Sequence, residues 1–156
     1  MTGKMQQTKP ERLASWTAAI LRIIEDKQVL LRLPAASTHV PALASHRWQL
    51  TKAVCNYRWF VKSALAAHAR SADHNRQVTA LIEAIDDVHE VLRAYVLHWS
   101  NGDNAARWPD YQAAASATLD EIARAVRRIS ADAATLLPDA APPGNRAVEQ
   151  RKVLPL

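Results

Sequence analysis

The chain has 156 residues, 49% of them hydrophobic and 22% charged, with a net charge of +5, a composition that excludes a disordered chain and suits one compact domain. Its three glycines, Gly3, Gly102 and Gly144, exclude a glycine-rich phosphate loop, and its one cysteine, Cys55, excludes an internal disulfide or a multi-cysteine zinc site. No apolar run reaches the roughly 18 residues of a membrane span, and the polar start Met1–Pro10 has no apolar leader core, so a cytoplasmic protein that avoids membranes is expected.

Four segments carry helical periodicity, and no alternation of the β type is sustained. The first runs from about Glu11 to Leu31, with Pro10 placed for a first turn and Leu13, Trp16, Ile20, Ile23, Ile24 and Leu31 on one side. Pro34 and Pro41 interrupt the chain, and a second helix follows from about Leu43 to Ala69, its inward face reading Leu43, Leu50, Val54, Tyr57, Val61, Leu65. Ser71 or Asp73 can cap the third, which repeats Val78, Leu81, Ile85, Val88, Leu92, Tyr95 and Trp99 in steps of three or four. After the turn signal Ser100-Asn-Gly-Asp-Asn, Pro109 opens a fourth helix with Tyr111, Thr118, Leu119, Ile122, Val126, Ile129, Ala133 and Leu136. Burying four apolar stripes joined by short connections predicts an all-α protein, an up-down-up-down four-helix bundle over 11–137. Residues 1–10 and 138–156 read as a flexible N-terminus and a flexible C-terminal tail.

Charge is distributed unevenly along this frame. Residues 1–72 hold eleven basic side chains against three acidic ones, or +8, whereas residues 73–156 hold nine against twelve, or −3. Between Pro41 and Ala72 stand Arg47, Lys52, Arg58, Lys62 and Arg70 with no acid, and such a field attracts a polyanion. Arg124, Arg127 and Arg128 form a second basic group on the fourth helix, where Asp120 and Glu121 can pair with them. On the second helix Trp48, Lys52, Cys55, Trp59 and Lys62 share a face roughly opposite the apolar stripe. Two outward indoles on one stripe suggest an interface, either with another protomer through Trp48, Cys55 and Trp59 or with nucleic acid, bases on the rings and phosphates on the cations, unless the second helix is central and buried on two sides of its own domain.

Chemistry has weaker footing. Asp86-x-x-His89 occurs once and the six histidines form no inward ligand set, so neither a metal nor any other cofactor is expected. Arg93-x4-His98 resembles the Arg-x4-His motif of HEPN ribonucleases, which makes an RNase the enzymatic alternative, although Ala94 stands where that family has a polar residue. A small helical subunit of a CRISPR-type ribonucleoprotein is a further alternative with no sharp signature.

Two helical segments carry a more extended likeness. Asp86-Asp-Val-His-Glu-Val-Leu92-Arg93, followed by Leu119-Asp-Glu121-Ile122-Ala-Arg124, resembles the bundle proteins encoded in 23S ribosomal RNA intervening sequences. Their relatives include the accessory variability determinant (Avd) of diversity-generating retroelements. That family has Asp-x5-Leu-Arg in its third helix and Glu-Ile-Gly-Arg in its fourth, with Ala123 here in place of the glycine. The resemblance covers roughly residues 76–130 and implies a non-enzymatic homo-oligomer, typically a pentamer. It also implies that the assembly binds a reverse transcriptase and RNA.

Overall fold

The computed structural model describes residues 7–34, 40–67, 71–99 and 107–137. The expected tail over 138–156, and residues 1–6 of the expected N-terminal segment, lie outside the described residues. Four helices follow in order: α1 (Lys9–Leu31), α2 (Val40–Ala66), α3 (Ala72–His98) and α4 (Trp108–Leu136). Each helix packs on its two neighbours in the cycle α1–α2–α3–α4–α1, and α2 and α4 also touch across the diagonal. This is the expected all-α four-helix bundle.

Local chemistry explains where the helices begin. Thr8 and Glu11 form a capping box: the Thr8 hydroxyl accepts the Glu11 N–H at 3.2 Å, and the Glu11 carboxylate accepts the Thr8 N–H at 2.8 Å. That box starts α1 at Lys9, two residues before the position expected from the apolar stripe, so residues 8–10 belong to the bundle rather than to a flexible arm. Of the two candidate caps for α3, Ser71 is the one used, accepting the His74 N–H at 3.0 Å. Helix α2 starts three residues earlier than expected, at Val40, and its described helical part ends at Ala66.

The core contains the four stripes read from the sequence, with two polar insertions at helical core positions. On α1 the inward line runs Leu13, Thr17, Ile20, Ile24, Lys27, Leu31, while Trp16 and Ile23 are partly buried beside it. Thr17 donates its hydroxyl proton to the Leu13 carbonyl at 2.7 Å. It must therefore accept from Ser130 of α4 at 2.7 Å, and Ser130 in turn accepts from the Tyr57 phenol of α2 at 2.6 Å. This relay joins three helices through one chain of protons, and burial pushes the Tyr57 phenol up to about 12.

The second insertion lies toward the end of the bundle where α1 stops and α4 starts. Lys27 is fully buried, and its ammonium nitrogen makes no hydrogen bond. It lies 5.2 Å from the Tyr95 ring centre and 5.9 Å from that of Tyr111, whose hydroxyls share a 2.7 Å hydrogen bond. Trp99 meets Tyr111 edge-on at 5.0 Å, and Trp108 stacks on it at 5.7 Å. Trp108 and Gln112 donate to the carbonyls of Leu33 and Leu31 at 3.0 and 2.6 Å, so α4 satisfies carbonyls that the end of α1 leaves open.

Candidate nucleic-acid interface

The outer face of α2 holds the most unusual surface of the described residues. Trp48 and Trp59 are 67% and 68% exposed, far more than an indole left against its own fold. Eleven residues separate them, which at about 1.5 Å rise per residue places the rings' helix positions some 16 Å apart along one side of the cylinder. Exposed Lys52 and exposed Cys55 lie between them on that side. The expected stripe is therefore present, pointing away from the bundle axis.

The cations around the stripe are not equivalent. Arg58 donates through Nε to Asp86 of α3 at 2.7 Å, and Lys62 reaches the same carboxylate oxygen at 3.2 Å. The Arg58 hydrogen bond is the largest influence holding the Asp86 carboxyl below its ordinary value, reinforced by the Lys62 contact. One carboxylate thus partly neutralises two of the expected phosphate contacts, and Lys52 is the exposed cation between the rings. Arg47 takes another direction: it is half-buried and close enough to Lys27 and Tyr95 for its charge to act on both. It belongs to the aromatic end of the bundle as well as to α2. Arg70 lies outside the described residues.

Arg124, Arg127 and Arg128 are all exposed on the outward side of α4, and they border two different grooves. Arg127 borders a groove of about 630 Å³ between α1 and α4, together with Arg22, Glu25, Asp26 and Asp120. Arg124 and Arg128 border a second groove, of about 350 Å³, between α3 and α4 with Asp87 and Glu121. Because α2 and α4 occupy diagonal corners, neither groove continues the α2 stripe. The acids interleaved with these arginines make a mixed-charge surface.

Arg93 and His98, the residues of the enzymatic alternative, each make a local contact within the protomer. Arg93 pairs with Glu90 at 3.3 Å, and the His98 ring sits edge-on to Trp99 at 4.8 Å. Their five-residue separation turns the two side chains about 140° apart around α3. Among the described residues no cluster of three or more His, Cys, Asp or Glu side chains could hold a metal, and no helix is long and apolar enough to cross a membrane. A small apolar cavity of about 120 Å³ lies between α2 and α3, with Thr51, Leu92 and Val96 in its wall.

Two further cations are positioned by aromatic rings, Arg12 beside α2 and Lys27 in the core. Arg12 of α1 stacks its guanidinium 4.8 Å over Phe60 of α2, adding a cation along the α1–α2 edge. Lys27 occupies a core position three residues after Ile24 and four before Leu31, and that spacing is the signal that would have found it. Comparison with family models, curated proteins and solved structures finds no match to this chain.

Proposed function

We propose that this protein is a non-catalytic helical scaffold that binds nucleic acid, RNA in preference to DNA, on the outer face of α2. The observation that carries the reading is the pair of exposed indoles, Trp48 and Trp59, with Lys52 exposed between them and Arg58 and Lys62 alongside. Arg58 and Lys62 share one neighbouring carboxylate, Asp86, and Lys52 lies outside that contact, which leaves the patch positive. The acid-free composition of residues 41–72 supports the same reading.

The likeness to the Avd family adds two partners to this proposal: further copies of the chain, as a pentamer in keeping with that family, and a reverse transcriptase or another ribonucleoprotein component. The grooves flanking α4, with their mixed charges, are surfaces left free for protein contacts while α2 holds RNA. In this reading the protein works in the cytoplasm, positioning an RNA for an enzyme and transforming nothing itself.

A gel-shift titration against a structured RNA at two salt concentrations tests the proposal. Phosphate recognition requires affinity to fall steeply as salt rises, because each neutralised phosphate releases counterions. Replacing Lys52, Arg58 and Lys62 together by Gln is expected to weaken binding while far-UV circular dichroism stays helical. Binding that ignores both salt and the triple substitution overturns it.

A further inference from the structure

The outer face of α2 presents aromatic rings and cations in an alternation that bears on which form of RNA it takes. Taking Trp48 as the origin and turning about 100° per residue, Lys52, Cys55, Trp59 and Lys62 all fall within about 40° of it around the helix. The face is thus a narrow ridge, indole, lysine, indole, lysine, running along one corner of the bundle. The rings are separated by some 16 Å of rise, too far apart to touch and too isolated to form one apolar patch.

That spacing argues against a protein as the occupant of this ridge. The centre of a protein interface is depleted of charge and gathers its aromatic anchors into a contiguous, desolvated cluster. Here Lys52 interrupts the aromatic surface, and Arg58 and Lys62 flank it with 35–36% of their side-chain surface still in solvent despite the contact to Asp86. Spaced flat rings with interleaved cations match a single-strand platform, on which unpaired bases stack and the backbone runs past the charges. A duplex cannot use the rings, because its base faces are covered by their neighbours, and the A-form major groove is too narrow to admit side chains. Successive phosphates of an extended strand are roughly 6 Å apart, so the two indoles span about three nucleotides, with Lys52 placed for the backbone between them and Lys62 for the backbone just beyond Trp59.

We infer that α2 recognises an unpaired RNA segment, stacking one base on Trp48 and another on Trp59 while Lys52 and Lys62 contact the phosphates. This rests on the proposed RNA-binding function and narrows it to a strand type and to two stacking positions. No base-specific hydrogen bonding is involved, so the preference is for unpaired over paired RNA and not for a sequence.

The test measures fluorescence anisotropy with three labelled probes: a twelve-nucleotide oligouridine, a twelve-base-pair RNA duplex and a twelve-unit abasic sugar-phosphate strand. The wild-type chain is expected to bind oligouridine more tightly than either other probe and to show quenched tryptophan emission on binding. Trp48→Leu/Trp59→Leu is expected to lose about 30-fold in oligouridine affinity and to leave the abasic strand unaffected. Helical circular dichroism and an unchanged molar mass verify that the variant is intact. Equal affinity for oligouridine and the abasic strand, or a double variant that binds oligouridine like wild type, overturns stacking. If the Lys52/Arg58/Lys62→Gln variant still fails to bind RNA in that case, the scaffold function stands without the stacking. If no probe and no structured RNA binds at all, both fall. A double variant whose assembly dissociates while its RNA affinity holds assigns the ridge to a second copy of the chain and overturns the inference.

Discussion

Replacing Lys27 by Met is expected to stabilise the bundle, and the size of the gain follows from where the ammonium sits. The side chain is fully buried without a hydrogen bond, and desolvation, aided by the nearby charge of Arg47, lowers its pKa from 10.5 to about 7. The unfolded chain therefore binds this proton more tightly than the folded one, so stability rises with pH from about 7 toward 10.5 and is lowest below 7, where both states are charged. At about 1.4 kcal/mol per pH unit, the penalty at pH 7 is on the order of 4 kcal/mol, declining by about 2 kcal/mol on going to pH 9. The rings of Tyr95 and Tyr111 offset part of the desolvation through their negative faces. Met has a similar length and no charge, so Lys27→Met keeps the packing and removes the penalty.

Urea unfolding at fixed protein concentration, repeated at half-unit steps from pH 6 to 9, reads this directly. Stopping at pH 9 keeps the tyrosines out of the comparison, since burial raises Tyr57 and Tyr95 and their contribution is lost only as the unfolded phenols ionise near 10. The wild-type chain is expected to gain stability across the window, and the Met variant is expected to start higher and stay nearly level. A wild-type profile that is flat between pH 7 and 9, or a Met variant less stable than wild type at pH 7, refutes the reasoning.

Other substitutions probe the remaining polar features. Ser130→Ala removes the link between Tyr57 and Thr17 and leaves the buried phenol only its longer 3.4 Å contact to the Val126 carbonyl, with an expected loss of about 1–3 kcal/mol in urea unfolding; Tyr57→Phe, which removes the donor along with the bond, is expected to lose about 1 kcal/mol. Thr8→Ala breaks the capping box of α1 and is expected to lose about 1 kcal/mol by the same measurement. Asp86→Asn frees Arg58 and Lys62 and is expected to tighten RNA binding several-fold and steepen its salt dependence, with a stability change under about 1 kcal/mol because solvent reaches more than a third of each side chain in the ion pair. The depressed Asp86 carboxyl places the contribution of that ion pair above the ordinary carboxylate range, and it is lost as pH falls through the lower folded value, so wild type and Asp86→Asn are expected to converge in stability in acid.

The sequence alone determined the number, order and approximate extent of the helices, because a 3.6-residue apolar period and the positions of Pro10, Ser71 and Pro109 are local properties that survive in any bundle. It also determined that Trp48, Lys52, Cys55 and Trp59 share one outward face, since helical spacing opposite a clear apolar stripe admits no other direction. The capping box that starts α1 at Lys9 was equally local, written in Thr8 and Glu11. Only the tertiary structure decided which cations remain available. Asp86 lies 24 and 28 residues from Lys62 and Arg58, and the antiparallel packing of α2 on α3 brings them together. Likewise, the three arginines of α4 are neighbours in sequence, yet adjacent helices divide them between two grooves. The buried state of Lys27 follows from aromatic rings that α3 and α4 supply, and the Tyr57–Ser130–Thr17 relay requires three helices in register. Periodicity specifies which way a side chain faces; its charge environment depends on groups distant in the chain, and these meet it only when the helices pack.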